Sequence, residues 1–179
     1  MIYKWTYKTP DGFSDMLMNS DGKHLTGLWF EGSRDASKQV IDCEERHLSV
    51  FEDTVRWLDL YFSGKDPGFT PEFKINHLTD FRKEVMECML AIPFGETITY
   101  GQIAETIAKK HGIAKMSSRA VGGAVGWNPI CIIVPCHRVV GANSSLTGYG
   151  GGIKNKVALL ALENNDMSKF VIPKKGTAL

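Results

Sequence analysis

The sequence lacks most of what would set it apart from ordinary folded proteins. It has no uninterrupted apolar run near the roughly 20 residues that cross a bilayer, so no helical membrane span is expected. Its opening, MIYKWTYKTPDG, carries no basic-then-apolar leader pattern. No internal repeat and no low-complexity tract is found. Cysteine is scarce: four residues, at 43, 88, 131 and 136, form no C-x-x-C. That excludes a disulfide framework or a zinc ribbon and points to free thiols in a reducing cytoplasm. Cys43 and His47 would share a face of the helix expected there, with His24 and His77 also at hand. Core cysteine and surface histidine is nevertheless the preferred reading, and no metal or cofactor is expected. Net charge is nearly absent too. Twenty-one basic against 20 acidic side chains leave +1, which by itself argues against a nucleic-acid binder.

What is present revises that last exclusion. Residues 1–80 carry a net −5 and residues 81–179 a net +6, so the halves have opposite electrostatic characters and the second is the one suited to DNA. The 179 residues, 43% apolar and 23% charged, support one ordinary domain or two small ones. IYKWTY and HLTGLWF, punctuated by Asp11-Gly12 and Asp21-Gly22, predict an antiparallel meander of about three strands. Phe51, Val55, Leu58 and Phe62 then fall on one helical face within 38–62, and Phe81, Val85, Cys88 and Ile92 on another. Thr99 with Gln102 predicts a capping box at the start of a helix carrying Ile103 and Ile107. Ser117 or Ser118 caps a short helix ending before Asn128-Pro129. These two helices suggest a helix-turn-helix with an unusually long turn. ICIIVPCHRVV (130–140) reads as a strand broken by Pro135. A glycine-rich loop (141–152), a helix over about 153–163 and a fraying polar tail follow.

Pro135-Cys136-His137-Arg138 is the most suggestive tetrapeptide. A thiol attacks only as thiolate, and an adjacent imidazole and guanidinium favour that form. Neighbours on a strand face opposite ways, so His137 reaches the sulfur only if the chain turns there. A buried cysteine with a surface His and Arg is the competing reading. By itself Glu163 reads as a solvated helix end, and Tyr100 equally as a packing residue. The glycines of SRAVGGAVG serve either a close contact or tight helix packing.

FRKEV, IPFGETITYGQIA, SRAVGGAVGWNP, IIVPCHRVVGANSSLTGYGGG and KVALLALE occur in that order across residues 81–163. Together they resemble the active-site domain of the O6-alkylguanine-DNA alkyltransferases. VRWLDLYFSG resembles the N-terminal domain of the same family more loosely. The resemblance implies an α/β (α+β) chain. It has a ribonuclease H-like sheet-and-helix domain (1–78), a mainly helical domain with a winged-helix-like helix-turn-helix (79–166) and a tail (167–179). It implies a single-turnover DNA repair methyltransferase, monomeric and without cofactor, that takes the alkyl group of O6-alkylguanine in double-stranded DNA irreversibly onto Cys136. His137 would act as base through a water and Glu163 would orient it, while Tyr100 would donate to N3 of the leaving guanine. Arg119 would fill the place of the flipped base. Ser118, Ala120, Gly122 and Gly123 would meet the minor groove. Asn128, Trp127, Val139, Tyr149, Gly150 and Gly151 would form and support the pocket, with Asn128 tying the recognition helix to the nucleophile segment.

Three departures stand out. Lys109–Met116 holds an insertion of about five residues, whose lysines 109, 110 and 115 would touch phosphates. Gly150 stands where some relatives have serine, removing a donor, and Cys131 stands where many have another residue type. The competing functions are a non-catalytic lesion binder, which Cys136 argues against, and a thiol hydrolase, which has no use for a groove-reading helix.

Overall fold

The computed structural model describes residues 1–38 and 42–173. The predicted meander is β1 (Tyr3–Tyr7), β2 (Met16–Ser20) and β3 (Leu25–Phe30), antiparallel throughout. A two-residue strand, β4 (Glu44–Glu45), adds parallel to β1 and gives the order β3-β2-β1-β4. Two residues are too few to leave a periodicity in the sequence. Met16, Met18, Leu25, Leu28 and Phe30 are fully buried. They pack under α1 (Ser49–Phe62), which buries Phe51, Thr54, Trp57, Leu58 and Tyr61. Phe51, Leu58 and Phe62 are thus buried as expected, the buried face widens to Trp57 and Tyr61, and Val55 lies only partly inside. Helix also begins later than expected. Residues 42–48 hold β4 and irregular chain, so Cys43 and His47 share no helix face. His47 instead pairs with Glu52 at 3.3 Å and meets the Trp5 ring edge-on. Among the described residues no group of three or more His, Cys, Asp or Glu side chains is placed to hold a metal ion.

The second half is built on α2 (Asp80–Leu90), α3 (Tyr100–Lys110), α4 (Ser118–Gly126) and α5 (Ile153–Leu162). Thr99 and Gln102 form the expected reciprocal box, and Ser117 caps α4. Val85 and Met89 bury the inner face of α2, whereas Cys88 is half-buried and Ile92 lies past the helix end. Residues 130–140 do not form the expected strand. Pro135 supplies no N–H, and the chain turns through a 3₁₀ segment at Cys136–Arg138 before the short β6 (Val139–Val140). β6 pairs in parallel with β5 (Ile98–Thr99). The described part of the tail does not fray. Leu146 N–H donates to the Val171 carbonyl at 2.9 Å and Val171 N–H to Ser144 at 3.1 Å. Met167 and Phe170 pack on Val140, Leu146 and Leu160. The remaining tail, 174–179, lies outside the described residues.

The charge boundary near 76–80 falls between α1 and α2, yet the two halves share one hydrophobic core. The outer edge of β3 is where they join. Leu25 exchanges backbone hydrogen bonds with Glu72 and Lys74. Leu28 N–H donates to the Pro129 carbonyl at 2.8 Å, and Cys131 N–H to Leu28 at 3.0 Å. An edge strand that would otherwise offer unpaired groups to other chains is thereby covered, and the segment leading to Cys136 becomes part of the sheet.

Candidate active site

Cys136 sits on a tight turn held by one side chain. Asn128 follows α4, and its Nδ2 contacts the carbonyls of Ile130 (3.2 Å) and Val134 (2.9 Å) and the Cys136 sulfur (3.1 Å). Its Oδ1 accepts from Ile130 N–H at 3.0 Å. Asn128 therefore joins α4 to the cysteine turn as expected. Cys131 faces the same sulfur. Its thiol is the foremost donor to Cys136, ahead of Asn128 in lowering that sulfur's pKa. These donors, with the Lys156 ammonium nearby, pull the Cys136 thiol below its ordinary value against the effect of burial. The opposite holds for Cys131, which is raised by giving its proton to that bond and by burial.

The turn separates Cys136 from direct contact with His137. The sulfur takes its hydrogen bonds from Asn128 and Cys131, while the imidazole lies fully buried with its Nε2 2.7 Å from Glu163 Oε1. Burial holds His137 below its ordinary pKa despite the carboxylate, so it is neutral near pH 7. A carboxylate only accepts, so the ring proton is on Nε2 and the Nδ1 lone pair is left over. That Nδ1 has no protein partner. Glu163 is not a solvated helix end, being 2% exposed. It accepts from Tyr61 Oη (2.6 Å), from Arg138 Nε and Nη2 (3.0–3.1 Å) and from Gly95 N–H (3.1 Å). Burial opposes its ionisation. Hydrogen bonds and charge from His137, then from Arg138, outweigh burial and hold the carboxyl near a pKa of about 2.

Tyr61 and Arg138 are functional-site residues that sequence reasoning missed. Tyr61 comes from the N-terminal half, and its hydroxyl also lies 3.2 Å from His137 Nε2. Its signal was a tyrosine on the buried side of α1, since a buried phenol needs a polar partner. Arg138 was read only as a neighbouring charge, but it is 9% exposed and also donates to Ile92 O at 2.8 Å.

The glycine-rich loop packs over the turn. Tyr100 Oη donates to Thr147 O at 3.2 Å, and burial with the nearby Cys136 sulfur pushes its hydroxyl up to about 12. The Tyr149 hydroxyl is buried without a protein partner. Lys156, fully buried on α5, donates to Val139 O at 2.7 Å, and burial lowers it to about 8. A Cβ at Gly150 would sit 2.1 Å from Asp35 Oδ2, and one at Gly151 would meet the Tyr149 ring at 2.6 Å. A serine at 150, as in some relatives, would require the buried Asp35 carboxylate of the first half to move. Lys38 pairs with Asp35 at 2.8 Å and donates to Gly126 O, which ties that carboxylate to the end of α4.

On α4, Val121, Ala124 and Val125 face inward, whereas Ser118, Arg119, Ala120 and Gly123 are exposed. A Cβ at Gly123 or Gly126 would meet nothing within 4 Å, and at Gly122 only the Tyr100 ring at 3.9 Å. Tight packing does not explain these glycines. Trp127 stands apart from the thiol group, with the Arg82 guanidinium 4.0 Å over its ring. Lys110 and His111 are engaged by Glu84 at 2.9 and 2.8 Å, which ties the start of the insertion to α2.

A thiol drawn below its ordinary pKa, held directly behind a helix-turn-helix with a bare outer helix, defines a class of protein that acts on DNA through a cysteine. Residues 2–75 match the ribonuclease-like domain of 6-O-methylguanine DNA methyltransferase, and residues 80–165 its DNA binding domain. The methylated-DNA–protein-cysteine methyltransferase of Mycobacterium bovis is 50% identical over 169 residues, covering 92% of this chain and 94% of the relative. That of Methanosarcina mazei is 41% identical over 152 residues, covering 85% and 92%. The crystal structure of Mycobacterium tuberculosis O6-methylguanine methyltransferase has a TM-score of 0.75 at 38% identity, covering 98% of this chain and 97% of that one. That of M. tuberculosis OGT in complex with DNA has the same score and identity, covering 94% of each chain. The chain belongs to the 6-O-methylguanine DNA methyltransferase family. Its activity is DNA repair by transfer of an alkyl group to a cysteine.

Proposed function

We propose that the substrate is O6-alkylguanine in double-stranded DNA and that Cys136 is the acceptor. His137 Nδ1 takes the thiol proton through one bridging water, and the thiolate attacks the alkyl carbon. The carbon–O6 bond breaks, its electron pair passes into the purine, and Tyr100 gives its hydroxyl proton to N3 so that guanine departs neutral; the proton taken up by His137 returns through water to the phenolate. The new thioether has no route to hydrolysis, so each molecule acts once. Glu163 fixes the imidazole tautomer, and Arg138 and Tyr61 hold Glu163. The observation that carries the reading is the buried imidazole whose Nε2 is committed to Glu163 while Nδ1 has no partner. A water there gives a buried acceptor the donor it needs.

Arg119, exposed in the first turn of α4, replaces the flipped base, and Ser118, Ala120, Gly122 and Gly123 face the minor groove. Loop residues Tyr149, Gly150 and Gly151 enclose the base, and Val139 and Trp127 support the pocket and α4. The protein acts as a monomer. The spacing of the four cysteines, which suggests no disulfide framework, supports a reducing cytoplasm. No helix among the described residues is long and apolar enough to cross a membrane.

The test mixes the protein with duplex DNA containing O6-methylguanine and maps the product by mass spectrometry. One methyl per protein on Cys136 is expected. Catalytic turnover, or methyl on another residue, overturns the assignment. In the same assay Arg119→Ala should lose more activity on duplex than on free O6-alkylguanine base, and equal losses remove its flipping role.

A further inference from the structure

The repair chemistry uses one thiol, yet two are buried side by side. Cys131 is 0% and Cys136 5% exposed. They occupy the two arms of one compact turn. Cys131 bridges to Val134, Val134 N–H donates to Ile130 O at 3.1 Å, and Cys136 N–H donates back to Val134 O at 2.8 Å. Ile132 at the tip has φ 68°, a conformation that a β-branched residue resists, so the turn is held by its surroundings and not by local preference. Asn128 Nδ2 spans both arms, touching the carbonyl that precedes Cys131 and the sulfur of Cys136. Beyond the hydrogen bond it gives the Cys136 sulfur, Cys131 takes no step of the transfer.

We propose that Cys131 and Cys136 are a redox dithiol: a peroxide converts them to an intramolecular disulfide that reversibly closes the alkyl acceptor. The Cys136 thiolate attacks one peroxide oxygen, breaking the O–O bond, and becomes a sulfenic acid as hydroxide leaves. The Cys131 sulfur then attacks the sulfenic sulfur. Its proton joins the departing hydroxyl as water, and the S–S bond forms. Overall, two thiols and one peroxide give one disulfide and two waters. The low-pKa member attacks first, and its buried neighbour resolves it before oxidation proceeds to the irreversible sulfinic acid. The acceptor is spent by a single alkylation, so a reversible cap preserves a residue that cannot be regenerated once alkylated. That benefit rests on Cys136 being the acceptor, whereas disulfide formation does not.

The experiment treats the full-length protein with excess hydrogen peroxide, traps free thiols and digests with trypsin without reduction. Both cysteines lie in the single peptide between Arg119 and Arg138. The expected wild-type peptide lacks two hydrogens and takes no thiol reagent. Methyl transfer is lost and returns on adding dithiothreitol. In Cys131→Ala and Cys131→Ser, each referred to its own transfer before oxidation, the same dose should leave sulfinic acid on Cys136 and a loss that dithiothreitol does not reverse. Oxygen added to Cys136 in the wild type with Cys131 still reactive, or recovery as poor as in the variants, overturns the proposal. Absence of methyl uptake before any oxidation would instead sink the acceptor assignment and leave the disulfide measurement standing.

Discussion

Glu163 holds the active-site network together. Its carboxyl titrates near 2, against 4.5 for an ordinary glutamate. The folded value is the depressed one, so the stabilisation is fully present above about pH 4.5 and is lost as pH falls toward 2. It amounts to roughly 3 kcal/mol. Glu163→Gln should flatten that acid limb in pH-dependent thermal unfolding. It should also destabilise the protein near neutrality by about 3–5 kcal/mol, because Arg138 stays buried without its counter-ion. An unchanged acid limb would show that Glu163 is not the titrating group. Tyr61→Phe removes one charge-assisted donor and should slow methyl transfer roughly tenfold in a folded protein. An unchanged rate would reduce that hydroxyl to packing. Cys136, His137 and Glu163 could be picked out from sequence because the motif blocks carry them. Tyr61 and Asp35 could not, since each acts across the chain on a partner more than 100 residues away that only the fold brings near.

Caps and turns were predictable where the chemistry is local. Thr99 with Gln102 and the Asp-Gly pairs determine their own surroundings within a few residues. The 130–140 segment misled because β-branched composition says strand, while Asn128 and Pro135 impose a turn through contacts that composition does not report. α4 shows the reverse case, a helix whose sequence looks poor and whose glycines face open space. Gly123→Ala should therefore raise stability by about 1 kcal/mol, since nothing obstructs the methyl group and alanine is the better helix former. The same change should weaken DNA binding measured by fluorescence anisotropy. A variant that is both more stable and equally tight would remove the groove contact as the reason for that glycine.

The charge split between residues 1–80 and 81–179 suggests two separable domains, but the packing joins them. β3 extends into the cysteine turn, Tyr61 reaches Glu163, and Asp35 occupies the space beside Gly150. A fragment of residues 80–179 alone should show no cooperative unfolding transition and take up no methyl group. Adding residues 1–79 in trans should restore both, and an active isolated fragment would refute this dependence. The contribution of the acidic half was the least visible from sequence, because no motif in it is chemical.

The seam along β3 has a consequence for heredity. A gene segment encoding only the DNA-facing half could not be exchanged between relatives as a self-sufficient unit. It would arrive without the strand that braces its cysteine turn and without the phenol that touches its glutamate. Drift at Leu28, Asp35 or Tyr61 on one side of the seam must be answered on the other. The two halves should therefore descend as a matched pair, and chimeras joined between α1 and α2 should work best when both parents share these three residues.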